Sequence, residues 1–193
     1  AVDLSSLYFD IRKDVLYCDA PGTRRRRAAR SVLAELHSCL TAWLAPILCF
    51  TAEEAWLARN PSEGESVHLR QFPEIPSEWR DDDLKARWDQ IRTLRRVVTG
   101  ALEVERREKH IGSSLQAHVH VYGAGQFRDA VKNVDVAAIF ITSGIDLHDD
   151  PAPQDDEPFA LGDVPGVAVT VALADGEKCL RCWRVLPEVG KDH

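Results

Sequence analysis

Across its 193 residues the sequence contains no methionine at all. Its opening, Ala1-Val2-Asp3-Leu4, has no basic region followed by an apolar stretch, so no signal peptide is expected. The missing initiator methionine and the lack of methionine throughout together suggest an internal piece of a longer protein. No apolar run approaches the ~18 residues that a membrane-spanning helix needs, so no membrane association is expected. A disulfide framework is also poorly supplied. The five cysteines are odd in number, and Cys18, Cys39 and Cys49 stand in apolar, helical settings, which fits a reducing, cytoplasmic compartment. Cys39 and Cys49 read as small core residues. A global basic signature is missing too, since the net charge is -7. Residues 1–110 hold 18 Lys/Arg against 18 Asp/Glu, whereas residues 111–193 hold 6 against 13. A nucleic-acid surface is therefore expected in the first part, or at a local basic spot in the second. No Ser/His/Asp constellation, phosphate-cradling glycine loop or convincing carboxylate pair is present, so catalysis has no home in these residues.

What is present begins with helical periodicity. Leu4, Leu7, Tyr8, Ile11 and Val15 form one apolar stripe, broken at Asp19-Ala20-Pro21-Gly22. A second helix is expected from about Thr23, burying Val32, Leu33, Leu36, Leu40, Trp43 and Leu44 and stopping near Ala45 before Pro46. Thr51-Ala52-Glu53-Glu54 has capping-box form, which predicts a third helix that carries Trp56 inward. Residues 61–80, with Pro61, Pro73 and Pro76, read as a connector. Asp81-Asp82-Asp83 then suits a helix N-terminus, opening a long helix to about Lys109 with Gly112 as its stop. The stretch from Leu4 to Lys109 is expected to form a helical bundle with Trp43, Trp56 and Trp88 in its core.

After Gly112 the period falls to 2. Ala117, Val119 and Val121 alternate with His118, His120 and Tyr122, which marks a half-buried strand. Val136 to Ile141 and Val167 to Leu173 are two further strand candidates, and Asp146 to Pro158 reads as a mobile loop or a long hairpin connection. The implied domains are a bundle with connector over 1–80, a long helix over 81–112 packing on the bundle, a small α/β unit over 113–175 and a cysteine-bearing tail over 176–193.

Four constellations carry chemistry. Cys179-Leu180-Arg181-Cys182 has zinc-ligand spacing, but a closed structural site needs four ligands. His193 is a candidate third ligand and no fourth is visible, so the tail is expected to be mobile and largely metal-free. The run Arg24 to Arg27 with Arg30 fans around a helix start, so only some members can meet one partner, and phosphate is the partner their guanidinium forks suit. On the long helix, Glu103 can pair with Arg107, Glu105 with Lys109 and Asp89 with Arg92. Arg95 and Arg96 have no acid at helical spacing, which leaves them the freest for RNA. Finally, His118 and His120 share a strand face, but two ligands do not close a metal site, and plain exposed histidines are expected.

Several strings then converge on one family. Leu7–Cys18, the Trp43–Trp56 segment, Ser66-Val67-His68-Leu69 through Phe72-Pro73, Glu108–Ala117 and Gly176–Trp183 resemble, in order, successive motifs of bacterial isoleucyl-tRNA synthetases. The resemblance covers nearly the whole chain. Val15 departs from it, standing where the family has arginine, and the second cysteine pair of the zinc element is absent. Lys109-His110-Ile111-Gly112-Ser113 starts like the class I ATP signature, but Ser113 replaces its second histidine.

The resemblance implies a mainly α fold with a small α/β part: an anticodon-binding helix bundle, then a long helix leading to a C-terminal junction domain and half of a zinc ribbon. It implies a cytoplasmic, monomeric parent enzyme that uses ATP and magnesium to join isoleucine to its tRNA, at a catalytic domain lying upstream. The expected partner of these residues is the anticodon stem-loop of isoleucine tRNA. Expected RNA contacts are Arg181 and Trp183, whose family counterparts reach the anticodon loop, together with Arg24, Arg27, Arg92, Arg95 and Arg96. Cys179 and Cys182 would bind the family's zinc. The rival readings are a valyl-tRNA synthetase anticodon region, a non-catalytic zinc-ribbon nucleic-acid-binding protein and a helical scaffold without an RNA role.

Overall fold

The computed structural model describes residues 3–62, 64–153 and 157–191. The protein is mainly helical with a small sheet component. It divides into two compact units, one of residues 12–80, the other joining the N-terminal segment up to Ile11 with Asp81 onward.

The first unit is an α-hairpin closed by a folded connector. Helix α1 (Asp10–Cys18) runs into this unit, followed by α2 (Arg24–Leu44) and α3 (Cys49–Arg59). Thr23 caps α2, its hydroxyl accepting from the Arg26 amide at 3.3 Å. The turn around Pro46 sends α3 back along α2, as the proline predicts. Burial on α2 falls on small residues: Ala29, Cys39, Thr41, Ala42 and the following Ala45. Close approach of α3 needs small side chains at the contact, so the inward face is rotated away from the large residues. Trp43 is accordingly 45% exposed, and its expected place in a core is corrected. Helix α3 starts at Cys49 with no side-chain cap, so Thr51 does not cap it and Cys49 is exposed, contrary to expectation. The carboxylate of Glu53 instead accepts from the Val67 amide at 2.7 Å, pinning the connector onto α3. Trp56 packs against Ala45, Ala52 and Val67.

The second unit is built on α4 (Asp82–Arg107) and a three-stranded sheet. Asp81 caps α4, with Asp82 and Asp83 in its first turn and Arg106 and Arg107 in its last, as the macrodipole favours. The helix ends where Lys109 takes a left-handed φ of 65, so the stop falls before Gly112. Ile91, Leu94, Val97, Val98, Ala101 and Leu102 share one core with the inward faces of the strands. The α4 face expected to close a core among helices is thus filled by the sheet and the short helices beside it, and Trp88 packs there.

Strand β1 (Ala117–Tyr122) is central, parallel to β2 (Gly144–Leu147) and antiparallel to β3 (Ala168–Leu173). Ala117, Val119 and Val121 are fully buried, as their alternation predicts. Between β1 and β2 lie α5 (Arg128–Val131) and α6 (Val136–Phe140). The expected strand over Val136 to Ile141 is therefore a helix. Asp135 caps it through the Ala138 amide, and Ile141 ends it at a left-handed φ of 60, so end signals outweigh the β-branched composition. The segment after Asp146, expected to be loop, begins inside β2. Residues from Gly176 form a second small sheet, β4 (Glu177–Lys178) paired with β5 (Val185–Leu186). The tail expected to be mobile is a folded hairpin. His193, the candidate third ligand, lies outside the described residues.

Candidate nucleic-acid interface

In the first unit the antiparallel return of α3 brings its last turn beside the first turns of α2. Arg27, Arg30 and Arg59 there line an open groove of about 640 Å³ with Ser31, Leu33 and Ala34. All three arginines are exposed. Arg27 and Arg30 stand three residues apart on one helix face, so both address the same space. The rest of the run is divided. Arg25 pairs with Asp19 at 3.0 Å, Arg26 donates to the Asp19 carbonyl at 2.8 Å, and Arg24 is exposed. Only part of the run therefore faces a common partner, as the helical fan requires. Arg59 was missed from the sequence, although a short turn between two helices signals an antiparallel pair and places the end of α3 opposite the start of α2.

The basic residues of α4 behave otherwise. Arg92 pairs with Asp3 at 2.8 Å and Arg96 with Asp163 at 2.8 Å. Arg95 donates to the Ile139 carbonyl at 3.0 Å, lies 4.0 Å from Asp10 and has a side chain only 21% exposed. The expectation that Arg95 and Arg96 are the freest arginines of the helix is corrected: neither has an acid at helical spacing, but each has a partner remote in sequence. The expected pairings along α4 also change, since Glu103 takes Arg106, Glu105 takes His110 and Asp89 takes Lys85. Arg92, Arg95 and Arg96 still line one groove of about 290 Å³ with Asp3, Ser6 and Thr99. Exposed pairs such as Arg92–Asp3 are worth about 0–1 kcal/mol, so a polyanion can displace them, whereas Arg95 is held by packing.

The tail hairpin places Cys179 and Cys182 at a tight turn. The Cys179 amide donates to the Arg184 carbonyl at 2.8 Å, and the Trp183 amide donates back to the Cys179 carbonyl at 2.9 Å. Trp183 takes a left-handed φ of 67 to complete the turn. Backbone amides of Cys182 and Arg181 aim at the Cys179 sulfur, and these hydrogen bonds, with the Arg181 charge, pull its thiol below the ordinary value. A thiolate held in this way is what a zinc ligand must be, so Cys179 and Cys182 fit half of a tetrahedral set. Among the described residues no third His, Cys, Asp or Glu gathers with them.

The same turn projects Trp183, 62% exposed, with the Lys178 ammonium 5.5 Å from its ring centre, and Arg181 beside it on the surface. An exposed aromatic ring flanked by cations suits a stacked nucleobase and its phosphate. The hairpin is fixed from behind: Arg184 donates to the Ser143 carbonyl and the Val185 amide to the Ser143 hydroxyl, both at 2.7 Å. Lys178, Ser143 and Arg184 were not legible as functional in the sequence, because each acts only through the hairpin register.

Residues 1–121 match the family described as the anticodon-binding domain of tRNA ligase, and residues 176–193 match the zinc finger found in FPG and IleRS. The chain is 56% identical over 192 residues to isoleucine–tRNA ligase of Agrobacterium fabrum, covering 99% of this chain and 20% of that protein. It is 54% identical over 192 residues to the isoleucine–tRNA ligases of Brucella abortus biovar 1 and Ruegeria pomeroyi, covering 99% and 98% of this chain and 19% of each. The chain thus spans about a fifth of the length of these curated relatives. With a family match running over residues 1–121 of 193, the chain belongs to the anticodon-binding domain family of tRNA ligases.

Proposed function

We propose that this chain is the part of an isoleucine–tRNA ligase that grips the anticodon stem-loop of isoleucine tRNA. The observation that carries the reading is the anticodon-binding match over residues 1–121, joined to 54–56% identity with isoleucine–tRNA ligases over nearly the whole chain. The activity of the whole ligase, joining isoleucine to tRNA with ATP and magnesium, then belongs to the four-fifths of those relatives that this chain does not match. The parent protein is proposed to be a cytoplasmic monomer. No described helix is long and apolar enough to cross a membrane.

The proposed division of labour follows the residues. Arg24, Arg27, Arg30 and Arg59 hold stem phosphates, since three of them converge on one groove and arginine binds phosphate through a bidentate fork. Arg92 and Arg96 exchange weak surface pairs for phosphate, while Arg95 serves mainly to hold α4 against α6. Trp183 and Arg181 meet unpaired loop bases, the Trp183 ring as a stacking platform. Zinc is proposed to bind at Cys179 and Cys182, where it would stiffen the turn that presents Trp183. Residues 1–80 are proposed as the bundle with its connector, 81–112 as the long helix, 113–175 as the junction domain and 176–193 as the zinc element.

The test is a salt titration of binding to isoleucine tRNA. Replacing both Arg27 and Arg30 by Glu should weaken binding and reduce the slope of log K against log salt by about one per lost phosphate contact. An unchanged slope, with the folded state intact, would remove the α2–α3 groove from the interface.

A further inference from the structure

The outer face of the three-stranded sheet carries a side-chain cluster that lies outside the tRNA contacts proposed above. On β1, His118, His120 and Tyr122 point away from the core, opposite the buried Ala117, Val119 and Val121. The parallel register of β2 sets Gly144 beside His118 and Asp146 beside His120. Two strand positions that are distant in sequence thereby become neighbours on one face.

The carboxylate of Asp146 lies 2.9 Å from His118 Nε2 and 3.5 Å from His120 Nδ1. His120 Nδ1 is in turn 3.3 Å from His148 Nε2. All the candidate donor atoms of His118, His120 and Asp146 fall within 4.8 Å of one another. With metal–ligand bonds of about 2.0–2.1 Å, ligand atoms on one ion sit about 2.9–3.4 Å apart. The two separations from the Asp146 carboxylate, 2.9 and 3.5 Å, fall in or next to that range, and a small rotation of the rings would bring all three donors around one ion.

The rings are also held in place. His118 and His120 lie 5.0 Å apart, His120 and His148 5.6 Å, and His148 stacks on Tyr122 at 4.8 Å, so the imidazoles form a continuous row. Gly144 makes room for it, because a Cβ there would overlap the His118 ring. The cluster lines one concavity of about 490 Å³ with Ser143, Asp175 and Pro187.

We propose that His118, His120 and Asp146 form a binding site for a divalent transition-metal ion, with His148 poised beside it as a further imidazole. Two imidazoles and one carboxylate with open positions are a donor set for zinc, nickel, copper or iron, and a poor one for magnesium or calcium, which take oxygen. A cation is favoured over an anion because Asp146 sits between the two imidazoles and residues 111–193 supply the entire net charge of -7. Bound metal would tie β1 to β2 across their parallel pairing. This site is distinct from the Cys179–Cys182 turn, whose ligands are sulfur.

Cobalt(II) separates the two by spectroscopy in the intact chain. Occupancy of the histidine site should produce weak visible bands without the intense near-ultraviolet thiolate charge transfer that cobalt on Cys179 and Cys182 would give. Paramagnetic shifts should appear at the ring protons of His118 and His120. His120→Ala and Asp146→Asn should each lower the affinity of this signal at least about tenfold, since even indirect supports of a metal ligand are worth that much. His110→Ala, on the α4 end, should leave it unchanged. A signal made only of thiolate charge transfer, or shifts at no histidine of the cluster, would overturn the proposal. So would parent affinity in both folded variants.

Discussion

Arg70 lays its guanidinium 3.8 Å from the centre of the Trp56 ring while His37 stacks on the same indole, 6.4 Å away between centroids. The guanidinium also donates to Ser38, at 2.8 Å to its hydroxyl and 3.2 Å to its carbonyl. One side chain of the connector thus ties α2 to α3 by stacking and hydrogen bonding together. Removing it should loosen the closed first unit. Arg70→Ala is expected to cost about 1–3 kcal/mol, the sum of a partly desolvated cation–π contact and two hydrogen bonds. Arg70→Lys should recover little of it, because an ammonium cannot fork to Ser38 while lying flat on the ring. Denaturant melts followed by circular dichroism measure both, and full stability in Arg70→Lys would mean that charge alone suffices.

Gly100 on α4 offers a test of the second core. A Cβ at that position would lie 2.6 Å from the Phe159 ring, which is held by paired backbone bonds between Phe159 and Val169 at 2.8 Å. Alanine gains about 1 kcal/mol of helix propensity over glycine, but overpacking a fixed ring costs about 1–3 kcal/mol. Gly100→Ala should therefore lower stability by about 1 kcal/mol on balance. A raised melting temperature would show that Phe159 yields freely.

The lowered thiol of Cys179 has a pH consequence. Because its folded value lies below its unfolded one, the thiolate stabilises the hairpin above the unfolded thiol value. That contribution is lost as pH falls through the folded value. With metal removed by chelator, alkylation of Cys179 should rise at lower pH in the folded chain than in the urea-denatured chain. Coincident profiles would mean that the amides of Arg181 and Cys182 do not reach the sulfur in solution.

Trp183 should matter for binding and little for folding, given its exposure. Trp183→Ala is expected to weaken tRNA affinity by about 1–3 kcal/mol, the usual worth of one base–aromatic stack, with the melting temperature unchanged. Equal affinity in the variant would assign the tail a purely structural role.

How much of this was legible in the sequence depended on where the partner stood. The ends of α4 carry their own signals, the acids at Asp81, Asp82 and Asp83 and the arginines at Arg106 and Arg107, and its boundaries were predicted closely. Strand β1 declared itself by alternation. Strand β2 did not, because one face of its four residues holds Gly144 and Asp146, which no hydrophobic pattern marks. The phase of α2 was misread since size was taken as the guide to burial, whereas the contact with α3 selects the small Cys39, Ala42 and Ala45. Local spacing found the Cys179–Cys182 pair and the arginine run. It could not find Asp163 for Arg96 or Asp146 for His118, whose partners arrive through the fold.

The most direct measurement for the central claim is the affinity of this chain for isoleucine tRNA, compared with the same tRNA carrying a changed anticodon. The wild-type anticodon should bind more tightly, and the difference should shrink in Trp183→Ala, since loop bases are read by stacking. Equal affinity for the two tRNAs, at matched salt, would contradict anticodon recognition by these residues.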